Sequence, residues 1–304
     1  MDPRLLKYYN RELQHLREMA GEFAQEFPKI AGRLSLDGFE CADPYVERLL
    51  EGFGFLTARI QLKLDAEFPR FTQHLLEMTY PHYLAPTPSM AVVRLEPDMD
   101  EGSLAEGFEV PRGSRLRSVL AKGEQTPCEY LTSHGVRLWP LQLAEADYFV
   151  HSRELSGLAG IDQQAVKAGF RIRLRAGGGR TISKLALDEL TLFLGGPGER
   201  ALRIYEQLHG NAIAVVARWQ GAQGVEHEVI PATRIEQVGF EDDEALLPFT
   251  RRSFQGYRLL HEYFAFHQRY LFVRFAGLER AVRRCEAEEL TLLVLLDRAD
   301  ADLT

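Results

Sequence analysis

Cysteine is scarce in this 304-residue chain, and the three present, Cys41, Cys128 and Cys285, stand far apart. No close pair can grip zinc or run disulfide exchange, so the pattern fits a reducing compartment with three buried free thiols. Long apolar runs are absent too. The longest, residues 290–296, falls far short of the ~20 residues that a membrane helix needs. Residues 1–19 alternate charge with apolar side chains and lack the continuous apolar stretch of a secretory signal. The expectation is a cytoplasmic protein with no direct membrane insertion. Positive charge is not in excess: 36 basic residues stand against 44 acidic ones, a net charge of -8. No field is available to neutralise phosphates, which argues against nucleic acid as a partner.

Catalytic signatures are missing as well. There is no Walker sequence, no nucleophile elbow and no His-Glu-x-x-His pair. Gly177-Gly178-Gly179 follows a strand without a helix opening behind it, so it reads as a hairpin turn and not as a phosphate cradle. His261 and His267 are six residues apart and fall on different sides of a helix, which leaves them unable to share a metal. His227 beside Glu228 could supply a general base, though a sequence of this size offers such neighbours by accident. The cluster Asp242, Asp243 and Glu244 has two readings, a hard-cation site or a helix N-terminus, the second favoured because calcium loops normally add a glycine and a distal Glu. The cluster reads as a helix N-terminus, where negative charge opposes the dipole. Asp300 and Asp302 read as a solvated tail. A metal-dependent hydrolase using His227, Glu228 or His261 is thus the weakest reading, and no metal or cofactor is expected.

What is present is periodicity. Asp2 and Pro3 open a helix whose apolar residues recur at Leu6, Tyr9, Leu13, Leu16, Ala20, Phe23 and Phe27 until Pro28 stops it. Asp43 and Pro44 open a second, with Val46, Leu49, Leu50, Phe53, Leu56, Ile60 and Leu64 on its stripe. It should end near Pro69, with a shorter helix following over residues 70–80. Gly52 and Gly54 inside that pattern imply close packing there. Two such stripes cannot satisfy each other fully, so something further should cover them.

Pro81, Pro86 and Pro88 mark a boundary, after which the period changes to two. Strands are expected at residues 91–95, 130–132, 136–141, 148–150, 170–175, 189–194 and 212–219, with a short helix at 200–208. In 170–175, Phe170, Ile172 and Leu174 should face a core while Arg171, Arg173 and Arg175 face water, and 189–194 is the expected neighbour. One echo recurs: Asp188-Glu189-Leu190-Thr191-Leu192 returns as Glu288-Glu289-Leu290-Thr291-Leu292, and Phe170, Ile172 and Leu174 parallel Leu271, Val273 and Phe275. Residues 256–266 form a helix, with Leu259, Leu260, Tyr263 and Phe264 at helical spacing.

The resulting fold class is α+β: a helical N-terminal region over residues 1–86, a β-rich domain over 87–165, and a second β-rich domain with inserted helices over 166–304. The sheets should be mainly antiparallel. The abrupt end after an apolar strand suggests a chain truncated at its C-terminal end. On the residues alone, the runner-up reading is a ligand-binding β-sandwich module for sugar or peptide.

Long joint runs carry a family resemblance. Tyr8-Tyr9-Asn10-Arg11-Glu12-Leu13, Asp43-Pro44-Tyr45-Val46-Glu47-Arg48-Leu49-Leu50-Glu51-Gly52-Phe53, Pro81-His82-Tyr83-Leu84, Leu138-Trp139-Pro140 and Gly256-Tyr257-Arg258-Leu259-Leu260 with Glu262-Tyr263-Phe264 closely resemble the TssF family of type VI secretion baseplate subunits. The resemblance implies a wedge component of a phage-tail-like baseplate. Its partners would be TssG first, then TssK, TssE and the spike hub, with self-association possible and recruitment to the inner membrane through the assembled complex. It implies no catalytic residue. Where family members usually read Phe-Pro after the Glu-Tyr-Phe block, this chain has Phe266-His267, and family members are considerably longer. The candidate contact residues are Tyr8, Tyr9 and Phe23 on the first helix and Tyr257, Arg258, Leu260 and Tyr263 on residues 256–264.

Overall fold

The computed structural model describes residues 2–36, 41–99, 102–120, 122–123, 125–150, 155, 157–196 and 198–303. The chain divides into two compact units, residues 1–85 and 86–304.

The first unit is helical: α1 (Leu5–Glu26), α2 (Pro28–Arg33) and α3 (Pro44–Thr79). Asp43 caps α3 by accepting the Tyr45 backbone N–H at 2.9 Å, and Pro44 occupies the first helical position, where its missing N–H costs nothing. Pro28 ends α1, and the chain turns directly into α2, which the sequence reading missed. The expected stop at Pro69 is not there. α3 runs through it to Thr79 as one 36-residue helix. Proline frees the carbonyl four residues before it, and Asp65, whose carbonyl that is, stands on a face open to water. With good helix formers on both sides, helix formation wins locally. α1 and α3 lie antiparallel, with Tyr8 hydrogen-bonded to Asp65 and Arg17 at 3.7 Å from Glu47. They pack tightly at Gly54, where an added Cβ would stand 3.1 Å from Leu13 Cδ2. Gly52 faces open space, so the close-packing expectation holds at only one of the two glycines.

The second unit contains β1 (Phe108–Val110), β2 (Arg115–Arg117), β3 (Glu129–Leu131), β4 (Val136–Leu138), β5 (Leu141–Val150), β6 (Ala168–Ala176), β7 (Leu190–Phe193), α4 (Glu199–Gly210), β8 (Ala212–Gly221), β9 (Gly224–Pro231), β10 (Ile235–Val238), α5 (Gln255–Phe266), β11 (Phe272–Phe275), α6 (Glu279–Arg284) and β12 (Glu289–Leu296). Five strands form one antiparallel sheet in the order β5-β6-β12-β8-β9, and three form another, β10-β11-β7. β1 pairs with β4 and β2 with β3. Residues 91–95 form no strand.

β6 alternates as its sequence requires. Phe170, Ile172 and Leu174 enter the core, while Arg171 and Arg173 face the carboxylates of β5, at 2.6 Å from Asp147 and 2.7 Å from Glu145. β12 is a continuous apolar run because both of its faces are covered. Leu290, Leu292, Val294 and Leu296 join the main core, and Leu293 and Leu295 pack with Leu158, Val166 and Val216 on the other side. β5 pairs along its length with β6, so the sheet crosses the division expected at 165/166. β6 thus joins β5 as its antiparallel neighbour and does not begin a new core.

The expected neighbour of β6 is also different. β7 pairs with β11 in the second sheet, and β6 lies beside β12. The sequence echo accounts for this exchange. Leu174 and Ile172 oppose Leu290 and Leu292 in one sheet, and their counterparts Phe275 and Val273 oppose Leu190 and Leu192 in the other. β5 flanks β6 as β10 flanks β11. Each echo strand thus pairs with the alternating strand that precedes the other.

Several polar groups differ from their sequence reading. Cys285 is buried, its thiol pushed up to about 11 by desolvation, but Cys41 is only half-buried and Cys128 is exposed. Asp300 and Asp302 are not a free tail: both pair with Arg203 of α4, at 3.4 and 2.9 Å, and Leu303 between them and the terminus is buried. Asp242–Glu244 is a single 3-10 turn, and Glu244 is buried, accepting the Gly239 N–H and pairing with Arg274 at 3.1 Å. Phe266-His267 carries α5 into another 3-10 turn, His267–Tyr270.

Candidate interaction surfaces

α3 displays an open apolar stripe. Leu49 (74% exposed), Phe53, Leu56, Ile60, Leu64, Phe68, Phe71, Leu75 and Met78 all stand out from the helix, at spacings of three and four that keep them on one side. In α3 only Gly54 and Ala58 are fully buried. The hairpin therefore uses small residues for its own contact and leaves its large ones outside. Exposed apolar surface this continuous is uncommon on a protein that works alone.

α5 is inverted. Its charged residues Arg258 and Glu262 are 1% and 0% exposed, whereas Tyr257, Leu260, Tyr263 and Phe264, the last at 83%, are exposed. Arg258 Nη1 donates to Glu262 Oε2 at 3.2 Å. Glu262 Oε1 also accepts the backbone N–H groups of Leu246 and Leu247 at 3.0 and 2.9 Å. Arg258 Nη2 reaches the Phe240 carbonyl, and its guanidinium lies 5.4 Å from the Phe249 ring. Tyr270 donates its hydroxyl to the Leu259 carbonyl at 3.1 Å. Burial, with Glu262 beside it, pushes that phenol up to about 12.

Arg258, expected as a contact residue, is therefore internal: a guanidinium held by a buried carboxylate cannot reach a partner. Tyr257, Leu260 and Tyr263 are exposed. Tyr8, Tyr9 and Phe23 are half-buried, with the Tyr8 hydroxyl engaged by Asp65 and the Phe23 ring 5.3 Å from Phe27. The more open residues lie on α3, and the sequence reading named none of them as contacts. The signal was there: the second stripe carries more bulky side chains than one partner helix can cover.

The catalytic alternatives do not assemble. His227 meets the Ala159 carbonyl, and Glu228, its neighbour on β9, pairs with Arg280 and Arg284. His261 lies 3.4 Å from Thr87 Oγ1. Among the described residues, no three His, Cys, Asp or Glu side chains converge as a metal site.

A helical hairpin joined in sequence to antiparallel sheets, with apolar side chains turned outward on α3 and α5, defines an α+β protein. The TssF family of the type VI secretion system matches residues 1–304, and the chain belongs to that family. The type VI secretion system component TssF1 of Pseudomonas aeruginosa is 58% identical over 303 residues, an overlap that takes in 100% of this chain and 49% of that protein. A chain of the TssK-TssF-TssG baseplate subcomplex, solved by cryo-electron microscopy, is 26% identical with a TM-score of 0.63, over 85% of this chain and 46% of that one. The chain spans about half the length of these relatives.

Proposed function

We propose that this chain is a structural part of a type VI secretion baseplate, binding TssG directly and TssK within the same assembly, and that it catalyses nothing. Its family membership supports the reading, as does its likeness to a chain solved together with TssK and TssG. The observation that carries it is the α3 stripe. A row of large apolar side chains on a helix that buries almost none of them is a surface awaiting a partner, and a helix laid in its groove would remove that area from water. The α5 face supplies aromatic anchors of the kind that dominate binding energy. Among the described residues no helix is long and apolar enough to cross a membrane. The chain works in the cytoplasm in this reading, and the assembled complex brings it to the inner membrane.

Mixing the chain with TssG on a sizing column tests this. Co-elution is expected, and replacing Leu49, Phe53 and Leu56 by Ser should abolish it. Separate elution of the unaltered proteins contradicts the proposal.

A further inference from the structure

The second unit holds a partly open pocket of about 640 Å³, within the ~300–1,000 Å³ range of small-molecule sites. Its walls are largely apolar, with Leu95, Leu116, Leu138, Trp139 and Phe272 among them. Arg269 lines it and is 3% exposed. One nitrogen of its guanidinium, Nη2, donates to the Glu244 carbonyl at 2.5 Å, but Nε and Nη1 meet no acceptor among the described residues.

Several other charges lining the cavity have partners. Glu129 pairs with Arg117 at 2.8 Å and Arg274 is held by Glu244, Glu236 and Glu189, while Glu109 and Arg137 are opposite one another only in the register of β1 and β4. Arg269 has no carboxylate within ion-pair distance among the described residues, and Glu244 and Glu262 act on it only from further away. Buried guanidinium groups are ordinarily paired, because an uncompensated charge in a low dielectric is costly. Desolvation accordingly makes Arg269 easier to deprotonate than an ordinary arginine. A neutral carbonyl would satisfy its N–H groups and leave the charge uncovered; a carboxylate does both.

We infer that this cavity is a binding site for a carboxylate carried on an apolar body, with Arg269 as the residue that receives it. The chemistry is shared by a Glu side chain on an incoming protein segment and by a free organic acid. The inference stands independently of the baseplate role, since it uses only the pocket and a guanidinium that lies 5.9 Å from the Phe272 ring but meets no carboxylate among the described residues. A site of this volume is far larger than the ~30 Å³ share of one water, so filling by solvent alone is the alternative to be beaten.

The test uses the whole chain, with benzoate as the free acid and the blocked peptides Ala-Leu-Glu-Leu-Ala and Ala-Leu-Gln-Leu-Ala as the protein-like probes. Binding is read by calorimetry and by the NMR titration of His134, which lines the same cavity. Saturable binding of benzoate or of the Glu peptide, with an upward shift of the His134 titration, is expected. Arg269→Met should weaken it at least tenfold, and the Gln peptide should bind at least tenfold more weakly than the Glu peptide. Leu95→Trp, which fills the cavity while leaving Arg269 in place, should do the same and covers the case in which Arg269→Met does not fold. Tighter binding of the Glu peptide than of benzoate assigns the carboxylate to a protein segment, and the reverse assigns it to a small acid. No saturable response to either probe, or equal affinity in both variants and the unaltered chain, overturns the inference.

Discussion

Replacing Glu262 by Gln probes the inverted helix most sharply. The carboxylate is fully buried and serves Arg258, two backbone N–H groups and the Tyr270 hydroxyl at 3.4 Å. Removing its charge leaves Arg258, itself 1% exposed, with neutral acceptors in the Phe240 carbonyl, the Gln255 amide and the substituted amide oxygen, with the Phe249 ring, and with the largely exposed Asp242 at 3.5 Å. Breaking a buried pair from one side costs about 3–5 kcal/mol. At ~2–4 °C per kcal/mol for a unit of this size, Tm should fall by roughly 10 °C. Urea unfolding followed by tryptophan fluorescence reads the second unit alone, because Trp139 and Trp219 are the only tryptophans and both lie there. The double variant Arg258→Met/Glu262→Leu should lose less than the sum of the two single variants, since it removes both charges together. Unaltered TssG binding by any folded fraction of Arg258→Met would agree with an internal role. A Glu262→Gln loss under ~1 kcal/mol would refute the reasoning.

Three further outcomes follow from the packing. His134 is held down to about 4, chiefly by burial and then by Arg269. Its folded value lies below the unfolded ~6.5, so the unfolded chain takes up the proton first. Its contribution is complete above pH ~6.5 and is lost as pH falls toward 4, by about 2 kcal/mol after allowing for partial exposure. Comparing urea midpoints of the unaltered chain and His134→Phe across that window should show the difference. Gly169→Ala places a Cβ 2.6 Å from the Val294 carbonyl oxygen and 2.5 Å from the Phe149 ring, and should cost about 2–3 kcal/mol by urea unfolding. Replacing Leu49, Phe53 and Leu56 by Ser should leave thermal unfolding of the chain within about 1 kcal/mol of the original, because these side chains bury little within it.

Much of the architecture was legible because the chain states it locally. The Asp43-Pro44 opening of α3, the Arg-and-apolar alternation of β6 and the break at Pro81–Pro88 each follow from one short stretch. What failed was non-local. Nothing between residues 151 and 167 announces that β5 returns to β6, and the exchange of β7 for β12 depends on a second copy a hundred residues away. Pro69 misled because a single breaker was weighed without the open helix around it. Arg258 misled for a similar reason: on a helical wheel it resembles a surface cation, and only the distant Leu246 and Leu247 amides reveal that Glu262, and Arg258 with it, belongs inside. Arg269 left no trace in the sequence, since an arginine's missing partner can be noticed only once its surroundings are known.

If open helical faces hold this chain to TssG, hydrogen exchange with and without TssG reads it segment by segment. Slowed exchange is expected along residues 49–78 of α3 and across α5 when TssG is added, with little change in the five-stranded sheet. A complex that forms while both helices exchange at their original rates would contradict it.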